Sequence, residues 1–158
     1  MFQVSIRSLI VAAAVTATAV VLAAAPATAH AMADVLIAVE ACPQPAVGRD
    51  PPAAYMRQNC GVSSPGSFAA APSIEVLATD LTAQGSGVIV TLWCTHRSTG
   101  VRTAMATVSS RPAARPAVFS SRLAAPLDLT RYACHFQVDQ SVTQTGPNAF
   151  AHVVALRP

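Results

Sequence analysis

The feature that most constrains this chain is the alternation of Asp128-Leu-Thr-Arg-Tyr-Ala-Cys-His-Phe-Gln-Val-Asp139. It sets Tyr132, Cys134, Phe136 and Val138 on one face and Arg131, Ala133, His135, Gln137 and Asp139 on the other. A two-residue period is that of a half-buried strand. Val88-Ile-Val-Thr-Leu-Trp-Cys94 repeats it, with Val88, Val90, Leu92 and Cys94 on one face. Each strand therefore carries a cysteine on its apolar side. If the two lie in facing sheets, Cys94 and Cys134 meet across the core.

The N-terminus points to an oxidising destination for those cysteines. Met1 to Ser8 holds one charge, Arg7, and Leu9 to Ala25 is an uncharged run of apolar and small residues. Ala27 and Ala29 follow at the small-residue positions a signal peptidase reads, so residues 1–29 have the layout of a secretory signal peptide cleaved after Ala29. The run is short and Ala/Thr-rich against the roughly 20 apolar residues of a bilayer span. The expected mature protein is residues 30–158, one secreted β-domain, extracellular or associated with the cell wall, with no membrane attachment after cleavage.

Four cysteines in a small exported chain read as two disulfides, for which three pairings exist. Cys42–Cys60 with Cys94–Cys134 is favoured. The first closes a Pro-rich segment that has little core of its own, and the second links the two best strand patterns.

Charge excludes some partners. All ten basic residues are Arg, and removing Arg7 leaves nine against seven acids. That balance is too weak, and its Arg too scattered, for a nucleic-acid surface or a polybasic membrane surface. The chain is expected to be a monomer whose partner is a protein or cell-surface ligand of unknown identity. The all-Arg, Ala- and Pro-rich composition suggests a GC-rich bacterial source.

Further strands are predicted at Asp34–Glu40, Ser73–Thr79, Val101–Ser109, Ala117–Leu123 and Ala149–Leu156, with Arg111–Pro116 a Pro-marked linker or edge segment. Turns are predicted at Gln84–Gly87, His96–Gly100 and Thr145–Asn148. One short helix is predicted over Asp50–Asn59, from Asp50 as N-cap, Pro51 at the first helical position and Gly61 past the end. The expected fold is mainly β, an antiparallel β-sandwich of about seven strands with that one helix.

Asp128-x-x-x-Tyr132-x-Cys134 resembles the Asp-x-x-x-Tyr-x-Cys signature of immunoglobulin-like domains. The resemblance covers about Ser86 to Pro158. It implies an immunoglobulin-like sandwich in which Tyr132 forms the corner before the second cysteine and Cys94 is the partner on the opposing sheet. The 40-position gap between the cysteines is tight for that family. Its core Trp after the first cysteine is missing: Trp93 precedes Cys94 and faces the other way.

Candidate chemistry is sparse, and no catalytic, metal or cofactor residue is assigned. His96 and His135 lie near Cys94 and Cys134 in sequence, but on regular strands His135 points away from Cys134, so a two-Cys, two-His metal set diverges. Gly85-Ser86-Gly87 is too short for a nucleophile elbow, and the seven carboxylates are spread singly. What remains is an outward stripe of Ile89, Thr91, Trp93 and Thr95, in which Trp93 either anchors a partner or packs beneath a neighbouring strand or loop. Trp93, Ile89, Thr91 and Arg97 form the candidate binding face of a disulfide-stabilised binding or structural module. The alternative is a secreted protease inhibitor presenting the Arg97 loop beside Cys94, with a loose similarity to bacterial subtilisin inhibitors of different cysteine spacing. An extracellular hydrolase comes third.

Overall fold

The computed structural model describes residues 34–43, 46–50, 53–63, 66–143 and 146–158. The segment read as a signal peptide lies outside the described residues, as do Pro51 and Pro52. In chain order come β1 (Val35–Ala38), a 3₁₀ turn (Val39–Ala41), β2 (Ala46–Asp50), β3 (Ala53–Val62), β4 (Ser73–Asp80) and β5 (Val88–His96). Then follow β6 (Arg102–Ser109), β7 (Ala113–Arg122), β8 (Tyr132–Thr143), β9 (Gly146–Pro147) and β10 (Ala149–Arg157). They form two antiparallel sheets. The smaller runs β1-β10-β4-β7 and the larger β2-β3-β8-β5-β6, with the two-residue β9 paired to β8.

The predicted alternation is what builds the core. Ile74, Val76 and Ala78 on β4 and Val154 and Leu156 on β10 turn inward from the smaller sheet. Val88, Val90 and Leu92 on β5 and Phe136 and Val138 on β8 meet them from the larger one, and all of these are at most 1% exposed. Burying each large aliphatic or aromatic side chain contributes roughly 1.5–3 kcal/mol relative to leaving it in water, so these central strands hold the two layers together.

The two ends of the sandwich are closed differently. At one end Phe68, Leu127 and Leu129 are buried, and the loops carrying them are pinned by Phe68 N–H to the Leu127 carbonyl at 2.8 Å and Leu129 N–H to Gly66 at 2.9 Å. At the other end a carboxylate does the work. Asp80, at the tip of β4, is 1% exposed and accepts from Gly87 N–H (2.8 Å), Ser110 Oγ (2.5 Å), Thr82 N–H (3.0 Å) and Thr82 Oγ (2.5 Å). Ser110 in turn accepts the Val88 N–H at 2.8 Å. One side chain on the smaller sheet thus satisfies the groups that open β5 and follow β6 on the larger.

Three expectations are corrected. Asp50–Asn59 is not a helix: β2 ends at Asp50, β3 begins at Ala53, and Asp50 pairs with Ala53. From Ala54 to Val62 β3 runs in unbroken register against Val142 to Cys134 of β8. Local capping signals lose to nine consecutive ladder positions and to burial of Gln58 and Cys60. Secondly, the described residues form ten strands, not about seven. Thirdly, both favoured disulfides form, Cys42–Cys60 and Cys94–Cys134, but Cys94 and Cys134 do not face each other across the core. They are direct partners on β5 and β8 of the same sheet, with Cα atoms 4.1 Å apart, near the spacing of a non-hydrogen-bonded antiparallel pair.

Arg111–Pro116 resolves as an edge segment. β7 begins at Ala113 and pairs only with β4, a place where Pro116 removes no interior ladder bond.

Candidate functional site

The outward surface of the larger sheet gathers most of the residues singled out from sequence. Ile89, Thr91 and Trp93 alternate outward from β5, opposite Asp139, Gln137 and His135 of β8. On the other side a bulge in β6 resets the register between Leu92 and Trp93, so that Leu92 faces Ala106 and Trp93 faces Ala104. The extra residue, Met105, packs against the core. The bulge sets a small Ala beside the indole and leaves Arg102, two residues along β6, as its diagonal neighbour.

Arg102 uses that space. Its guanidinium carbon lies 4.4 Å from the centre of the Trp93 ring, and its Nη2 is 3.2 Å from His135 Nε2. Because a guanidinium can only donate, this hydrogen bond requires Nε2 to be the unprotonated nitrogen of a neutral imidazole. Partial burial, and then the Arg102 charge, hold the His135 imidazole below its ordinary pKa of 6.5, which favours that form. Trp93 is half-buried, with the Arg102 guanidinium of the neighbouring strand stacked on its ring. Its indole Nε1 is buried and has no hydrogen-bond partner among the described residues.

Two further arginines lie at the same end. Arg97 sits in the exposed β5–β6 turn, its backbone N–H bonded to the Arg131 carbonyl at 2.9 Å. His96 and Tyr132, behind them, meet edge to face at 5.0 Å. Among the described residues Arg97, Arg102 and Arg131 form no salt bridge, whereas Arg57, farther along the face, is tied to Asp139 at 2.6 and 3.0 Å and stacks on Tyr55 at 4.7 Å. The face is thus ion-paired at one end, while at the other Arg97 and Arg102 carry no salt bridge among the described residues and Arg131 lies beside the Asp128 carboxylate. The chain matches no known protein-family model and no curated protein.

His96 and His135 are not brought together with the cysteines: Cys94 and Cys134 are joined to each other, His96 bonds Ser98 Oγ at 3.0 Å, and His135 serves Arg102. Sequence reasoning missed Arg102. Its signal, outward parity with Trp93 across a hairpin, is broken by the bulge at Met105, which nothing in the residue pattern announces.

Proposed function

We propose that this protein is an exported, disulfide-braced binding module, and that its recognition surface is the cationic end of the larger sheet around Trp93. The observation that carries this reading is the Arg102–Trp93 stack: a cation and an aromatic ring held in place on an outer face, the guanidinium forming no salt bridge among the described residues. Trp and Arg are the side chains that most often anchor interfaces, and Arg97 and Arg131 extend the positive field. The partner that fits presents carboxylates beside an apolar patch, as an acidic protein surface does.

The scaffold reading is immunoglobulin-like. What supports it is a set of neighbour relations. Strands β4, β5, β6, β7 and β8 adjoin one another as B, C, C′, E and F do in such domains, with β10 beside β4 and β3 beside β8 in the places of A and G. Tyr132 and Cys134 then open strand F, as the sequence signature implies, while Cys94 falls on strand C instead of strand B. Export rests on the leader-like N-terminus and is compatible with two disulfides.

Trp93 is the only tryptophan, so its emission reports directly on this face. The test titrates the protein with acidic polypeptide and with cell-wall material while following that emission. Binding that shifts it and is lost in Arg102→Ala supports the reading; binding that survives both Arg102→Ala and Trp93→Ala places recognition elsewhere. The exposed, backbone-anchored Arg97 turn also favours a second reading, inhibition of a trypsin-like protease. Stoichiometric slowing of trypsin by wild type but not Arg97→Ala would establish it.

A further inference from the structure

On the side of the sandwich where β10 approaches β8 and the 3₁₀ turn, a cleft of about 340 Å³ opens between the sheets. It is separate from the Trp93 face and does not depend on the reading of that face. Small-molecule sites run from about 300 to 1,000 Å³, so this one admits a ligand of roughly one ring.

Two buried amides line it, Gln58 and Gln140, 8% and 5% exposed. Their orientation is fixed by backbone at both ends. Ala151 N–H donates to Gln140 Oε1 at 2.9 Å, Gln140 Nε2 donates to Gln58 Oε1 at 3.0 Å, and Gln58 Nε2 donates to the Val39 carbonyl at 3.4 Å. Neither amide can flip without setting donor against donor or acceptor against acceptor. Each –NH₂ carries two protons and spends one in this relay, so among the described residues each amide keeps an N–H to offer. A buried polar group left unmatched is costly, and such donors are normally matched by an acceptor.

The surroundings select the acceptor's chemistry. His152, at the bulge between Ala151 and Val153, also lines the cleft, with its Nε2 3.0 Å from Thr79 Oγ1. Val39, Phe150 and Val153 supply an apolar wall, and Glu40 on the 3₁₀ turn supplies a carboxylate. That turn is held over the amides by Cys42, whose N–H bonds Val39 and whose sulfur is joined to Cys60 on β3. Glu40 repels anions and accepts hydroxyl protons; the amides give and accept neutral hydrogen bonds; Phe150 offers a surface for C–H groups.

We propose that this cleft binds a neutral sugar, its hydroxyls shared between Gln58, Gln140 and Glu40 and its apolar face against Phe150. The test uses the full mature chain and a panel of free neutral monosaccharides, with glucuronate and glucosamine as charged counterparts, read by saturation-transfer NMR and by the ¹⁵N-resolved Ala151, Gln58 and Gln140 signals. The expected result is a neutral sugar that shifts those signals, with affinity falling about tenfold in Glu40→Gln, as loss of a hydrogen bond to a charged group predicts. Phe150→Ala should weaken it likewise and Trp93→Ala should leave it unchanged. Circular dichroism verifies that each variant is folded. If no neutral sugar moves those signals, if glucuronate or glucosamine binds more tightly, or if both cleft variants bind as wild type does, the proposal is overturned.

Discussion

The Gly87 backbone N–H donates to the Asp80 carboxylate at 2.8 Å, across the space a Gly87 side chain would need. A Cβ built there would lie 2.4 Å from Asp80 Oδ1 and 2.6 Å from the Ala149 Cβ. Gly87→Ala must therefore push a buried carboxylate off its donors or move β10 away from β5. Overpacking costs about 1–3 kcal/mol and a disturbed hydrogen bond to a charged group about as much again. Urea denaturation should show a loss of about 3 kcal/mol or more. A change below about 1 kcal/mol would mean that this end of the sandwich is softer than its contacts imply.

Asp80 should also set the acid limit of the fold. Burial pushes its carboxyl up from the ordinary 3.8, but the hydrogen bonds from Ser110, Thr82 and Gly87 together outweigh burial and hold it lower. A carboxylate with a depressed pKa contributes stability that is complete above its ordinary value and is lost as pH falls through its value in the fold. The expected outcome is an unfolding transition below pH 3.8 that Asp80→Asn shifts and flattens. The same variant should lose about 3 kcal/mol at neutral pH, since an amide –NH₂ would face one of the present donors. Equal acid profiles for the two proteins would assign the transition to other carboxylates.

The layers and most of the strands were legible because period-two alternation carries burial directly: Val88, Val90 and Leu92 or Phe136 and Val138 can go inward in only one register. Asp50–Asn59 was misread because its cap-like residues are local signals. What makes it a strand is the distant ladder on β8, which no window of ten residues contains. The Cys42–Cys60 pairing was legible from the Pro-rich segment it closes, and the Cys94–Cys134 pairing from strand quality. Its location within one sheet was not, because alternation says which face Cys94 occupies but not which strand lies beside it. Trp93, Ile89 and Thr91 were placed on a common outer face correctly. Arg102 and the Gln58–Gln140 relay were hidden, the first by a bulge in β6 and the second because Gln58 sat in the misread segment.

The two disulfides should differ in kind as well as in size. Cys42–Cys60 closes 18 residues and fastens the turn after β1 to the other sheet, while Cys94–Cys134 closes 40 and links strands already paired. Chain-entropy arithmetic gives about 3 and about 4 kcal/mol. Removing Cys94 and Cys134 together should lower global stability by the larger amount and leave the strand order intact. Removing Cys42 and Cys60 should also release β1 and the 3₁₀ turn locally, seen as loss of amide-exchange protection at Ile37 and Ala38 while the central strands stay protected. Uniform loss of protection in the second variant would refute the local role.

The Arg102–His135 contact predicts a pH-dependent Trp93 signal. Burial, then Arg102, lowers the His135 pKa from 6.5, so its neutral form is the one the fold prefers. For a base with a depressed pKa the stabilisation is complete above 6.5 and is lost as pH falls through its folded value. Below that point an imidazolium would meet a guanidinium now 3.2 Å away, and Arg102, the exposed partner, is the one free to swing off the indole. Emission from Trp93 should therefore change on acidification through the range below pH 6.5. His135→Gln, which keeps an acceptor for Arg102 and cannot titrate, should flatten that change. Arg102→Ala should remove it and cost about 0.5–1 kcal/mol, the worth of an exposed cation–π contact. A titration curve identical in wild type and His135→Gln would separate the indole from His135 and leave Arg102 stacked by its own attraction to the ring.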